Sequence, residues 1–240
     1  MTHKTVLFKI GGKILEDFDN IDSTISQLKQ ILKKKLIQKI ILIPGGGSFA
    51  NFIRNVYSEL KFTEELAHWM GIISMNYNGL ELSKKFPELE IIEDFNSLKK
   101  LNKSFCLFLP FQFLKENDKL PHSWDATSDS ITLFLAKELG LNECFLIKDI
   151  DGILNDKNQV IQEISTLEFK KMKELGKLAE IKSNNEEIKE KSQPIDPYLT
   201  TLIERHKISI IILNGSKNTT RILNYFQSNK PKEKIFTRIT

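Results

Sequence analysis

The chain has 240 residues, 40% of them apolar, and its 35 basic and 31 acidic side chains give a formal net charge of +4. That length can bury a full core, and the longest apolar stretches, such as residues 208–213, fall far short of the roughly 20 residues a membrane-spanning helix needs. The opening residues MTHKTVLFKI lack the apolar stretch of a secretory signal, so the sequence reads as that of a soluble, cytoplasmic protein with no membrane partner.

Residues 6–10 form the first short β-rich run, and Lys9-Ile10-Gly11-Gly12-Lys13 closes it. Glycines after a strand let the backbone approach a polyphosphate closely, and lysine adds charge; the same pair also serves as a bare tight turn. The pattern is neither a Walker A loop nor G-x-G-x-x-G. Ile21, Ile25, Leu28 and Leu32 then share a helical stripe. A second strand at 40–43 ends in Pro44-Gly45-Gly46-Gly47-Ser48-Phe49-Ala50, three glycines opening onto a helix whose first amides and dipole attract an anion. Phe49, Phe52, Ile53, Val56 and Leu60 stripe that helix and are expected to pack on the sheet. Residues 64–84 are apolar around much of the circumference, which predicts a deeply buried helix or one at an oligomer interface, its first turns lining a pocket.

The run at 105–109 predicts another strand, and Asp125-Ala126-Thr127-Ser128-Asp129-Ser130 sets two carboxylates four residues apart at a helix start, where Thr127 or Ser128 is the expected cap and Gly140 the expected stop. Capping alone accounts for that pattern; beside two glycine turns, Asp129 gains the further task of holding lysine ammonium groups. A strand at 145–147 leads into Lys148-Asp149-Ile150-Asp151-Gly152, which adds a cation and a turn on which a nucleotide can rest. Residues 155–197 are polar and charged, with breaks at Ser183-Asn184-Asn185 and Gln193-Pro194, and read as a mobile, helix-containing excursion before the last strand at 208–213, Asn214-Gly215 and Lys217. Continuous apolar runs of this length suit a mainly parallel sheet covered on both faces.

Other chemistries lack their signatures. Cys106 and Cys144 sit inside apolar runs as small hydrophobes. His3, His68, His122 and His206 show no metal-ligand spacing, so no protein-held metal is expected. Lysine clusters at 33–35 and 170–171 read as solvated helix faces rather than a nucleic-acid patch.

KIGGK, PGGGSFA, HSWDATSDS, LIKDIDGI and ILNG, in this order along nearly the whole chain, resemble the amino acid kinase superfamily, which includes acetylglutamate, aspartate, uridylate and isopentenyl phosphate kinases. The resemblance implies a three-layer α/β/α sandwich on an open, mainly parallel eight-stranded sheet, with the acceptor over residues 1–140 and ATP over 141–240 of a single domain. It implies that Lys9 contacts the transferred phosphoryl, that Gly11 and Gly12 line the donor phosphates, and that Gly45, Gly46 and Gly47, with Ser48, His68 and Asp125 nearby, hold the acceptor. Asp129 matches the lysine-organising aspartate, while Lys148 and Lys217 compete for the role of second catalytic cation.

Three positions depart from relatives. Lys13 stands where the family commonly has serine, His68 where uridylate kinases have a ribose-binding aspartate, and Asn51 near where isopentenyl phosphate kinases carry a catalytic histidine. The His68-Trp69-Met70 helix, the H-S-W-D-x-T-S-D-S motif, Lys148 and Pro194-Ile195-Asp196-Pro197-Tyr198-Leu199 look most like the aminomethylfuran phosphate kinase group of methanofuran biosynthesis and its archaeal relatives. The expected reaction is ATP-dependent, with Mg²⁺ bridging donor phosphates and a phosphate or carboxylate oxygen of a small anionic molecule as acceptor. The alternative is a nucleotide-binding regulatory protein of the same fold, and a homodimer or larger homo-oligomer is the expected assembly.

Overall fold

Side chains alternate across the central strands to build two cores, one on each face of an eight-stranded sheet. The computed structural model describes residues 3–100, 104–179 and 194–240. In its first half β1 (His3–Ile10) is followed by α1 (Gly12–Leu15), α2 (Phe18–Lys33), β2 (Ile37–Pro44), α3 (Gly47–Leu60) and α4 (Glu64–Lys85). Next come β3 (Glu90–Ile92), α5 (Phe95–Lys100), β4 (Phe105–Phe108), α6 (Phe111–Glu116) and α7 (Ser128–Glu138). The remainder holds β5 (Glu143–Lys148), β6 (Glu163–Ile164), α8 (Thr166–Glu174), α9 (Pro197–His206), β7 (Ser209–Asn214), α10 (Arg221–Gln227) and β8 (Thr237–Ile239).

The strand order is β3-β4-β2-β1-β5-β7-β8-β6, parallel throughout except for the antiparallel β7–β8 pair. Because successive residues of a strand face opposite sides, Val6, Phe8 and Ile10 join Phe145 and Ile147 in one core, while Leu7 joins Cys144 and Leu146 in the other. Lys9 and Lys148 continue the second set. Both therefore emerge on the face that α7 covers, at the carboxyl ends of adjacent strands. Chain connections leave β1 and β5 in opposite directions, which makes the crevice between them the place where open α/β sheets bind ligands.

Several expectations are revised. The stripe of α3 does not pack on the sheet: α3 lies against α4, only Ile53 is buried, and Phe49, Phe52 and Leu60 face outward. Nor is α4 deeply buried all round. Ala67, His68, Trp69, Ile72 and Met75 point inward, whereas Leu66, Ile73, Tyr77 and Leu80 are exposed. The polar stretch from 155 onward is helix-containing, as expected, but also supplies β6, which pairs with β8 at the sheet edge. Its Ser183-Asn184-Asn185 and Gln193 breaks lie outside the described residues. Gly140 does end α7, in the left-handed conformation (φ +69°) that follows the last helical turn.

Candidate active site

The carboxyl edge of β2, β1, β5 and β7 gathers most of the chemistry-bearing residues. Parallel register aligns Ile10 with Pro44 and Ile147, and Lys148 with Asn214. The turns that follow these strands, at Gly11-Gly12, Gly45-Gly46-Gly47, Asp149-Ile150-Asp151 and Gly215, thus sit side by side. Asp129 reaches in from the first turn of α7: Oδ1 accepts from Lys9 Nζ at 2.9 Å and Oδ2 from Lys148 Nζ at 2.8 Å. Lys9 is 5% exposed and Asp129 3%.

Burial of that depth makes the charges interdependent. It pushes the Asp129 carboxyl up, but the ammonium groups of Lys148 and Lys9 overcome it and hold the group well below the usual carboxylate range. For Lys9, burial is the largest influence and lowers its pKa, with Asp129 pulling the other way and Lys148 adding to the decrease. Each ammonium spends one of its three donors on Asp129 and keeps others to offer an anion.

The two glycine turns touch. A Cβ on Gly12 would lie 2.8 Å from Gly47 Cα, and one on Gly45 would lie 2.9 Å from the Ile10 carbonyl and 3.1 Å from Lys9 Cε. Close packing alone therefore demands glycine at Gly12 and Gly45, apart from any ligand. The amides divide. Gly11 N–H donates to the Ile147 carbonyl at 2.8 Å and Gly45 N–H to Ile10 at 2.9 Å, whereas those of Gly12, Gly46 and Gly47 bond to nothing among the described residues. Gly47 has φ +54°, a turn at the head of α3 that a side chain would strain. Ser48 is exposed at that head.

Other predicted residues scatter around this centre. Lys13 pairs with Asp149 at 3.3 Å beside the first turn. Asp151 is committed to structure: Arg221 grips both its oxygens at 3.0 and 3.2 Å, and Asn214 Nδ2 donates to Oδ1 at 3.1 Å. Gly152, at φ +145°, lies against Thr237. Asp125 is exposed, its carbonyl accepting from Tyr198 N–H at 2.9 Å. Lys217 stands apart, its exposed ammonium held by Asp19 at 3.0 Å. The structure thus gives Lys148, not Lys217, to Asp129.

Beyond the second turn lies an aromatic wall. The outer ring of Trp124 rests 3.7 Å from the place a Cβ of Gly71 would take, and the Gly71 carbonyl is 3.7 Å from the corresponding position of Gly46. Arg54 lies over the Trp124 ring at 4.7 Å. His68 stacks on His122 at 4.6 Å, Trp69 meets His122 edge-on at 5.4 Å, and His122 pairs with Asp118 at 2.8 Å. Burial, helped by the neighbouring His122, lowers His68 to about 4, so it is a neutral imidazole near pH 7. The indole N–H groups of Trp69 and Trp124 are buried without a hydrogen-bond partner among the described residues.

Sequence reasoning missed Asp196. Thr127 is the N-cap of α7, yet its hydroxyl caps nothing; the Asp196 carboxylate occupies that position instead, accepting from Thr127 N–H at 3.0 Å and Ser130 N–H at 2.9 Å. The available signal was Asp196-Pro197 as cap and first residue of α9, which says nothing of a second helix.

Two outcomes follow. Lys148→Ala is expected to lower turnover by about 10² or more, as losing a charge stabiliser does, while Lys217→Ala stays within a few-fold, both read from steady-state rates. His68 takes up its proton only in the unfolded chain between its ordinary value near 6.5 and about 4. Stability therefore falls as pH drops through that window, by up to about 3 kcal/mol, and denaturant melts of His68→Phe should show a correspondingly shallower acid dependence.

Comparisons with known proteins agree with this layout. The model of the "Amino acid kinase family" matches residues 4–214. Over 238 residues the chain is 28% identical to a Methanocaldococcus jannaschii protein named [5-(aminomethyl)furan-3-yl]methyl phosphate kinase, covering 97% of this chain and 96% of that one. UMP kinase from Ureaplasma parvum superposes with a TM-score of 0.68 at 18% identity, covering 100% of this chain and 99% of its own. An aspartate kinase from Synechocystis gives 0.65 at 12%, covering 98% of this chain and 39% of that longer one. At those identities the solved structures share the fold.

Proposed function

The chain belongs to the amino acid kinase family, and from that premise we propose that it transfers the γ-phosphoryl group of ATP to the phosphate of a small, non-nucleotide organic monophosphate, of the kind for which its Methanocaldococcus jannaschii relative is named. The observation that carries this reading is the sharing of Asp129 by Lys9 and Lys148 beside two glycine turns in contact. Residues up to about 140 hold the acceptor and those beyond it the nucleotide. The neutral His68 and the unpartnered indole N–H groups of Trp69 and Trp124 favour an acceptor other than a ribonucleotide.

An acceptor phosphate oxygen is already anionic and needs no strong base. Transfer then rests on holding donor and acceptor oxygens in line and stabilising the charge spread over the moving phosphoryl group. Lys9 faces that group. Lys148 balances it from the nucleotide side, and the free amides of Gly12 and of Gly46 and Gly47 serve donor and acceptor oxygens respectively. Mg²⁺ brought in with the nucleotide would neutralise charge on the donor's phosphates, while both oxygens of Asp129 stay with the ammonium groups of Lys9 and Lys148.

We place the protein in the cytoplasm, a setting that suits two free, buried cysteines. We assign the outer face of α3 and α4 to a second copy of the chain. Phe49, Phe52, Ile73, Tyr77 and Leu80 are 42–65% exposed there, and Phe49 and Tyr77 meet at 4.6 Å across the two helices. Such a face is an unusual amount of apolar surface to leave in water.

Measured with ATP and a panel of organic monophosphates, the protein should release ADP only when an acceptor is present. Lys9→Ala should lower turnover by about 10² or more while nucleotide affinity changes less than about tenfold. Nucleotide binding without acceptor-dependent ADP release would instead identify a regulatory protein of this fold. Light scattering should give at least twice the 27.7 kDa of one chain, and Phe52→Glu combined with Ile73→Glu should return it to a single chain; a wild-type mass of one chain ends the dimer assignment.

A further inference from the structure

The segment Ile195-Asp196-Pro197-Tyr198 has no part in the transfer described above, yet it holds one of the most heavily bonded carboxylates in the molecule. Asp196 is 7% exposed. Its Oδ2 accepts from Thr127 N–H at 3.0 Å, Thr127 Oγ1 at 3.0 Å and Ser130 N–H at 2.9 Å; its Oδ1 accepts from Ser130 Oγ at 2.5 Å and Leu199 N–H at 2.9 Å. Every partner offers an N–H or an O–H, which favours the carboxylate form, against the burial and the neighbouring Asp129 charge that push its pKa up. It caps two helices at once, α9 through Leu199 and α7 through Thr127 and Ser130. Tyr198 N–H, two residues on, binds the Asp125 carbonyl at 2.9 Å, so both ends of the 125–130 segment are fastened to the start of α9.

Asp129 lies inside that fastened segment. Its own side-chain oxygens are spent on Lys9 and Lys148, so the backbone that carries it is placed by α7 and by the bonds from the head of α9. We propose that Asp196 is a positioning residue: by pinning the first turn of α7 it sets where Asp129 holds the two lysines. The charged groups facing Lys9 are Asp129 from α7, Lys148 from β5 and Asp196 from the head of α9. Burial and Lys148 disfavour its charge, and the two carboxylates favour it. With Asp196 included, two negative charges stand beside the two positive ones of Lys9 and Lys148. The turnover effects rest on the kinase reading above, whereas the effect on the Lys9 proton does not.

Geometry and charge separate in two variants of the full chain. Ser130→Ala removes a donor but leaves the carboxylate charge; Asp196→Asn keeps the size, removes the charge and turns a donor toward Thr127 and Ser130. We expect Asp196→Asn to lower kcat by about 10² through misplacement of charged groups, with KM for ATP within a few-fold. The alkaline limb of its pH–rate profile should move to lower pH, because Lys9 then loses its proton more easily. Ser130→Ala should lower kcat more modestly and leave the limb in place. A merely structural role predicts lower melting temperatures with kcat per folded molecule and the limb unchanged, and that result overturns the proposal. If Asp196→Asn does not fold, Ser130→Ala decides, and a normal kcat in that variant refutes the positioning role. If the wild type shows no acceptor-dependent turnover, the kinase reading has failed instead. The Lys9 side-chain titration, followed by NMR in wild type and Asp196→Asn, then decides without catalysis, an unmoved titration counting against Asp196.

Discussion

The structure depends on keeping Asp129 charged in a place where water cannot reach it. An ion moved into a protein interior loses several kcal/mol of solvation, and a single partner returns that only when its geometry is close to ideal. Here one carboxylate has two ammonium partners at 2.9 and 2.8 Å, one per oxygen, and stands at the amino end of α7, where the helix dipole favours negative charge. Removing any member would leave the others buried and unbalanced. That constraint explains why Lys9, buried at the end of a central strand, is a lysine at all: it is tolerated because Asp129 is there, and Asp129 is tolerated because two lysines are.

The sheet supplies the precision that this arrangement needs. Lys9 and Lys148 come from neighbouring parallel strands whose register is fixed along much of their length, so their Cα positions cannot drift without moving two cores. Placing charged groups on strand ends, with a glycine turn two residues after Lys9, puts rigid cations beside backbone amides that can approach a ligand. The contact between Gly12 and Gly47 adds a second reason for glycine there. It brings the two turns together before anything binds, so the free amides of the two turns are set against each other by packing rather than by a ligand.

Much of this was legible in the sequence, and the gaps have physical causes. Each of the five apolar runs became a strand, because buried parallel strands are written as continuous apolar segments. β3, β6 and β8 went unread: at two or three residues each, near the sheet edges, they carry too little pattern to register. Lys9 and Lys148 share a face because they follow Leu7 and Leu146, a pairing that only the register of the two strands reveals, and Lys217 kept an equal claim until its pairing with Asp19 was visible. Asp196 lay beyond reach for a different reason. Its cap of α9 is local and leaves a sequence trace, whereas its cap of α7 spans 66 residues to Ser130 and depends wholly on how the two helices meet.

The misplaced stripe of α3 has the same origin, and α4 shows the same ambiguity. A periodic apolar stripe announces a face that avoids water, without saying whether the sheet or another surface covers it. In α4 both sides are apolar, so its amphipathic signal cancels, yet the sides differ in what they touch. The inner one carries His68, Trp69 and Gly71, which line the way from the second glycine turn to Trp124; the outer one carries Ile73, Tyr77 and Leu80. A single 22-residue helix therefore belongs to two surfaces at once. Side chains only one helical turn apart serve the aromatic wall and the outer face, and any shift of α4 that suits one is felt by the other, so covering the outer face would also hold the wall at its distance from the glycine turn.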